Sequence, residues 1–340
     1  MPDRLLRSLS LQRLGRRFGG RIEPLLLAVI VVLCAVLGLL TPYFLTLANW
    51  VDLVENYSVT AIFAMGLFVV LVAGGIDISF TAVASVAQYV TAVIATRYGV
   101  PGTIALPACI LIGVLLGCIN GALIYYLRVT SIIITISTLN VYFALLMYFS
   151  EGKLISTLPD WWSTRIVFAQ WEMANGDLVR ITMPILVMVV ASALTWVLLN
   201  GSTAGRQLYA LGGNPEAARR VGVNIPAMHF LAYGYLGLLA GLAGLVQAHR
   251  VGEAVPNALF GGELNVLAAA VLGGASLTGG AGTVPGVLLG ILLLAILQNG
   301  LNLMGVSPYF FQIVIGIVIL VATTITMLKF SRGRRAVEQA

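Results

Sequence analysis

The sequence predicts an all-α polytopic membrane protein with about ten transmembrane helices, N-in and C-in, containing two inverted groups of four helices. Three observations predict it. Of the 340 residues, 59% are hydrophobic and only 9% are charged, against about a quarter charged in soluble domains. The mean hydropathy is +1.00. Glycine contributes 37 residues and proline 12, and both are commoner in membrane helices than in soluble ones. A soluble fold of this size could not solvate its surface with so few charges, and a disordered chain or a disulfide scaffold is excluded too. A span needs about 20 mostly apolar residues, so ten of them leave only short connections. Any nucleotide-binding unit must then lie on another chain.

The elements follow in order. Residues 1–23 carry six arginines and read as a cytoplasmic basic arm lying on anionic lipid. No small-residue cleavage site follows it, so the first apolar run reads as a retained span rather than a signal peptide. That span runs from Pro24 to about Leu40. A mixed segment reaches Asn56, with Trp50 and Tyr57 suited to the interface. The second span covers Tyr57 to Ala73 and ends in Gly74-Gly75-Ile76-Asp77-Ile78-Ser79. The third runs from Ser79 to Thr96, and Pro101-Gly102 marks a turn. The fourth covers Thr103 to Leu127, the fifth Ser131 to Phe149. Residues 150–180 are polar, and span six is Ile181 to Leu199. Residues 200–228 form a second polar loop. Spans seven to ten are His229–Ala248, a short Glu263–Gly274, Val284–Leu303 and Tyr309–Leu328. Residues 329–340 are a basic cytoplasmic tail, and 24–328 form one transmembrane domain.

The basic residues orient the chain. With the N-terminus inside, the inner segments hold the six arm arginines, Arg128, Arg206, Arg219, Arg220 and four basic residues of the tail. The outer segments hold Arg97, Lys153, Arg165, Arg180 and Arg250. The positive-inside rule therefore supports N-in, C-in. The net charge of +6 is an orientation signal, and no nucleic-acid partner is expected. Spans two to five and seven to ten form two groups of four whose topologies are inverted. Gly113-Val-Leu-Leu-Gly117 recurs as Gly286-Val-Leu-Leu-Gly290, and Gly74-Gly75 is echoed by Gly273-Gly274. Glycine-interrupted spans in both halves point to a transport pathway.

Asp77 is the one formal charge between adjoining apolar runs. The glycine pairs Gly74, Gly75, Gly273 and Gly274 permit helix breaks. Asp77 reads either as a carboxylate near the pathway or as part of a capped turn at the surface. Gln88, Asn120, Asn140, Gln298, Asn299 and Asn302 also fall within spans. With Asp77 they are the candidate pathway lining, since neutral amides suit hydroxylated solutes. Taken singly, each also suits interhelical hydrogen bonding. In the 200–228 loop, Asn214 or Pro215 can start a short helix, with Glu216 in its first turn and Gly222 at its end. Such a helix across the inner face is a lever for a partner; as a plain connector it would need no partner.

Other chemistries lack their residues. No GxxxxGK[ST], GxSxG or HExxH occurs. Cys34, Cys109 and Cys118 sit in apolar runs as small buried hydrophobes. No cysteine or histidine cluster suggests a metal, and no cofactor is expected. An ion-coupled carrier tends to bury more ionisable groups than Asp77 alone.

These motifs in series resemble the permease subunit of bacterial ABC importers for sugars, of the ribose/xylose/arabinose/autoinducer-2 type. Residues 74–79 resemble that family's GGIDLSVG, although Phe80-Thr81 replaces its Val-Gly. Residues 211–218 with Gly222 resemble GGNPEAAR…G and the EAA-x3-G pattern by which ABC permeases engage their ATPase. Residues 271–284 resemble VLGGxSLxGGxGxxxG, and residues 300–306 also fit. The resemblance implies separate ABC ATPase subunits, a periplasmic sugar-binding protein, and a second permease copy or a sister permease, all at the bacterial inner membrane. It makes Asn214, Glu216, Ala217, Ala218 and Gly222 the ATPase-coupling segment. It makes the outer loops with Trp161, Trp162 and Glu263 candidates for binding-protein docking. The alternatives are an ABC permease for branched-chain amino acids or nucleosides, a stand-alone secondary carrier, and a non-transporting scaffold.

Overall fold

The computed structural model describes residues 22–173, 176 and 178–307, and eight residues between 309 and 320. The expected basic arm and basic tail lie outside the described residues, as does most of the tenth span. The chain is a helical bundle. Its elements are α1 (Glu23–Leu40), α2 (Leu47–Val72), α3 (Phe80–Arg97), α4 (Gly102–Leu127), α5 (Ser131–Ser150), a single turn α6 (Asp160–Ser163), strands β1 (Val167–Glu172) and β2 (Leu178–Thr182), α7 (Met183–Trp196), α8 (Thr203–Gly213), α9 (Pro215–Arg220), α10 (Ile225–Val251), α11 (Glu263–Leu272) and α12 (Val284–Leu303). Among the described residues, seven helices are long and apolar enough to cross a membrane, with α7 and the π turn after it counted as one.

Local sequence explains the helix starts. Thr46, Asn224 and Thr283 each accept a hydrogen bond from a first-turn N–H of α2, α10 and α12. Pro226 and Pro285 stand in the first turn, where their missing N–H costs nothing. Helix α2 starts ten residues before the expected Tyr57, with Asp52 and Glu55 inside it. The Glu55 carboxylate accepts 2.9 Å bonds from Arg165, so its charge is matched where it is buried.

Two departures from the expectation are local. Residues 150–180 are not a featureless loop: β1 and β2 pair antiparallel, with Gln170 opposite Arg180 and Trp171 opposite Val179. The aromatic and β-branched residues of that stretch favour strands. The fold is therefore helical with one small hairpin. The 200–228 loop holds α8 in addition to the expected short helix α9.

Helices α2 and α10 form the centre; α10 packs on α4, α2 and α3, and α2 also packs on α7. Close approach is what the repeated GVLLG segments provide. A Cβ on Gly113 of α4 would lie 2.2 Å from the Gly237 carbonyl of α10, and one on Gly290 of α12 would lie 2.1 Å from the Ala269 carbonyl of α11. Small residues at such seams let backbones meet where lipid removes the hydrophobic drive.

The bundle has two ends. One carries the hairpin: Ile155 bridges Ala254, Trp162 donates to Leu245 O at 3.0 Å, and Asn49 pairs with Asn299. The other carries α8 and α9, together with Glu23, which accepts from Thr283 at 2.7 Å. Helix α11 has ten residues, about 15 Å, half of a hydrocarbon core. Residues 252–262 lead into it from the hairpin end, and residues 273–283 complete the crossing to the α8–α9 end. This stretch therefore runs from one end of the bundle to the other and does not return.

Candidate functional site

The three motif segments meet at the α8–α9 end. Helix α2 stops at Gly74, whose φ of +86° a side chain would resist. Gly74 N–H bonds to Leu71 O (2.9 Å) and Gly75 N–H to Val70 O (3.0 Å), which is the Schellman pattern. Helix α11 stops the same way: Gly274 N–H bonds to Val271 O (2.9 Å) and Ala275 N–H to Ala270 O (3.0 Å). Both glycine pairs therefore end helices, as their sequence suggests. Gly212, at the end of α8, is wedged between the α2 cap and the Gly279-Gly280 loop that follows the α11 cap. A Cβ there would sit 2.0 Å from Val72 O, 2.6 Å from Gly280 N and 3.0 Å from Gly74 N. Gly280 N–H bonds to Val72 O at 3.0 Å, and the Tyr209 hydroxyl donates to Gly282 O at 2.9 Å.

From this junction α9 leads outward. Asn214 Oδ1 accepts from Ala217 N at 3.0 Å, Glu216 lies in the first turn, and Arg219 and Arg220 lie in the last. These signs match the helix dipole at both ends. Gly222 closes α9 with φ +86°, its N–H on Arg219 O. Ala218 is buried, while Asn214, Glu216, Ala217, Arg219 and Arg220 are exposed. The helix thus presents a charged face on a short arm rooted at the α2 cap and the Gly279-Gly280 loop.

Above the α2 cap lies a buried polar cluster. Asp77 Oδ1 accepts from Ser79 N and Ser79 Oγ, both at 2.7 Å, and Asp77 Oδ2 accepts from Asn120 Nδ2 at 3.4 Å. Asn120 also donates to Ser79 Oγ (2.7 Å) and accepts from Tyr142 (3.3 Å). Ser131 and Thr135 of α5 satisfy the broken backbone: Ser131 Oγ accepts from Ile76 N, and Thr135 donates to Ile76 O. The neighbouring Gly75 packs against Tyr233, eight residues into α10. The break thus stands about 12 Å along that 27-residue helix, away from its end.

The structure separates the seven candidate pathway residues. Asp77 and Asn120 belong to the cluster just described. Gln88 is buried on α3 and donates to Val255 O at 3.1 Å. Asn140 lies on an exposed face of α5 and donates to Ile136 O of its own helix. Gln298, Asn299 and Asn302 line one cavity of about 430 Å3 between α2, α11 and α12 at the hairpin end. Sequence reasoning missed Asn56, Thr60, Asn265 and Arg250, which line it too. Asn265 is an amide within the expected eighth span, the same signal that singled out Asn302, whereas Asn56 fell just before the expected start of the second span. Trp162 and Glu263 are buried and bonded internally, Glu263 accepting from Thr81 and from Gly261 N, so neither offers a docking surface.

A family described as the branched-chain amino acid transport system / permease component matches residues 49–323. The chain belongs to this permease family. It is 34% identical over 316 residues to the ribose import permease protein RbsC of Escherichia coli K12, covering 92% of this chain and 96% of that one. RbsC of Bacillus subtilis is 35% identical over 298 residues, 88% and 90% of the two chains. The galactose/methyl galactoside import permease protein MglC of E. coli K12 is 32% identical over 317 residues, 90% and 94%. No solved structure matches. The permease's three motif segments all fall within the matched residues.

Proposed function

We propose that this chain is the membrane-spanning permease of an ATP-driven ABC importer, carrying a sugar or polyol handed over by a periplasmic binding protein. It is a transport component rather than an enzyme, and ATP hydrolysis belongs to a partner ATPase. It resides in the bacterial cytoplasmic membrane. The α8–α9 end is the cytoplasmic end, because α1 begins there directly after the six arginines of residues 1–23, and with Arg128, Arg206, Arg219 and Arg220 they outnumber Arg97, Lys153, Arg165, Arg180 and Arg250 toward the hairpin end. Ten spans, N-in and C-in, with spans two to five and seven to ten inverted, follow from that orientation. A second permease copy or a sister permease completes the pathway. The basic arm rests on anionic lipid.

The observation that carries the coupling role is the wedge of Gly212 between the α2 cap and the Gly279-Gly280 loop that follows α11. Helix α9 is the coupling helix. When the ATPase pair closes, α9 moves, and Gly212 transmits the motion to the α2 break and to the loop that joins α11 to α12. The bundle then repacks between outward-open and inward-open states. Asn214, Glu216, Ala217, Ala218 and Gly222 build this lever. Sugar is favoured over amino acid because the relatives named above are named for ribose and galactose/methyl galactoside import and, among the described residues, no carboxylate lines the cavity to pair with an ammonium group.

The test is co-purification of the ATPase from the native membrane, followed by uptake in vesicles. Glu216→Lys should release the ATPase and abolish ATP-dependent sugar uptake. Retention of both by Glu216→Lys, and also by deletion of residues 214–222, would make the coupling role wrong.

A further inference from the structure

Polar side chains left free on three helices converge on the cavity between α2, α11 and α12. Asn56 and Thr60 come from α2, Asn265 from the first turn of the half-length α11, and Asn302 from the last turn of α12. None of these four side chains has a hydrogen-bond partner among the described residues. Interhelical glue does not look like this. Where amides in this region serve as glue they pair: Asn49 with Asn299 through two bonds of 3.1 and 2.9 Å, and Gln298 with the Tyr57 hydroxyl. Asn56, Asn265 and Asn302 are exposed and Thr60 is half-buried, so their polar groups are open to water or to a solute.

The lining sets the chemistry of that solute. Ala269, Ile291 and Leu294 are apolar, while the amides and hydroxyls supply both donors and acceptors. One cation, Arg250, borders the cavity, held by the carbonyls of Asn56 (2.7 Å) and Glu55 (3.4 Å). About 430 Å3 lies within the range of small-ligand cavities, roughly 300–1,000 Å3. Ile291 is 12 residues from the end of α12, so the cavity reaches about 18 Å in from that end. A neutral ring with hydroxyls on its edge and C–H groups on its faces matches this lining. An organic cation would meet Arg250, and a zwitterion would leave its ammonium unpaired.

We infer that each copy of the permease carries its own sugar-holding vestibule in this cavity, built wholly within one chain and opening toward the binding protein. The inference rests on the sugar-import reading and adds where the solute first rests. Residues Asn56, Asn265 and Asn302 are its recognition groups.

The experiment uses the full transporter in proteoliposomes with D-ribose and D-galactose as probes. Asn265→Leu and Asn302→Leu should each lower uptake about three- to ten-fold, the effect of losing one hydrogen bond to the solute. ATPase co-purification with each variant reports that it has folded. In a second arm, Asn302→Cys should react with a membrane-impermeant thiol reagent added from the outside, and the transported sugar should slow that reaction. Wild-type uptake rates in both leucine variants, or labelling indifferent to the transported sugar, would overturn the vestibule while leaving the import reading intact. Failure of the wild-type transporter to import either sugar with ATP would overturn the reading on which it rests.

Discussion

Gly212 and Gly213 are adjacent glycines at the end of α8, and the same substitution at each should have opposite consequences. Alanine at Gly212 places a carbon 2.0 Å from Val72 O and 2.6 Å from Gly280 N. Ordinary contacts lie near 3.5 Å, so the backbones must part by roughly 1.5 Å. That overpacking costs about 1–3 kcal/mol. The 3.0 Å bond from Gly280 N–H to Val72 O stretches with it, a further loss of about 0.5–1.5 kcal/mol. The total of about 1.5–4.5 kcal/mol corresponds to a shift of roughly 10- to 2,000-fold against the assembled junction. A Cβ on Gly213 meets nothing within 4 Å, so Gly213→Ala should be close to neutral. The assay pairs thermal unfolding of the purified protein with initial uptake rates in vesicles. Gly212→Ala should unfold several degrees lower and lose most ATP-driven uptake, with Gly213→Ala matching wild type. Equal behaviour of the two variants would refute the claim that the motifs are wedged together here.

Three further outcomes follow from the packing. Asp77→Ala leaves Ser79 N–H without its buried acceptor and should destabilise by about 1–3 kcal/mol, while Asp77→Asn, which keeps one acceptor oxygen, should cost less; unfolding midpoints rank them. Gly113→Ala, with its new carbon 2.2 Å from Gly237 O, should separate α4 from α10 and cost about 1–3 kcal/mol, read as lower folded yield and melting temperature. A double-mutant cycle on Asn49→Ala and Asn299→Ala should give a coupling of about 1 kcal/mol, since the pair shares two bonds; additivity would mean that the bonds contribute nothing.

Some of this was legible in the residues and some was not, for physical reasons. The glycine pairs at 74–75 and 273–274 punctuate apolar runs, and both end helices with the same cap. Asn214, Pro215 and Gly222 predicted α9 to within a residue, because capping chemistry is local. What Gly212 touches was not legible: glycine carries no side chain to advertise its partner, and the contact joins residues far apart in sequence. Asn120 and Asn140 look alike in sequence, yet one is buried on Ser79 and Asp77 while the other faces outward and bonds to its own helix. In a membrane bundle both faces of a helix are apolar, so periodicity does not say which face meets protein. The same blindness hid the central place of α2 and α10. The strands at 167–182 were lost in a stretch read only for its polarity.

The central claim is that ATP, acting through α9, drives sugar across this chain. Its most direct test is uptake of labelled sugar by proteoliposomes holding the permease, its ATPase and the binding protein. The account predicts uptake when ATP is inside, none with an ion gradient alone, and loss on Glu216→Lys. Uptake driven by an ion gradient without ATP, or ATP-driven uptake unchanged by Glu216→Lys, would contradict it.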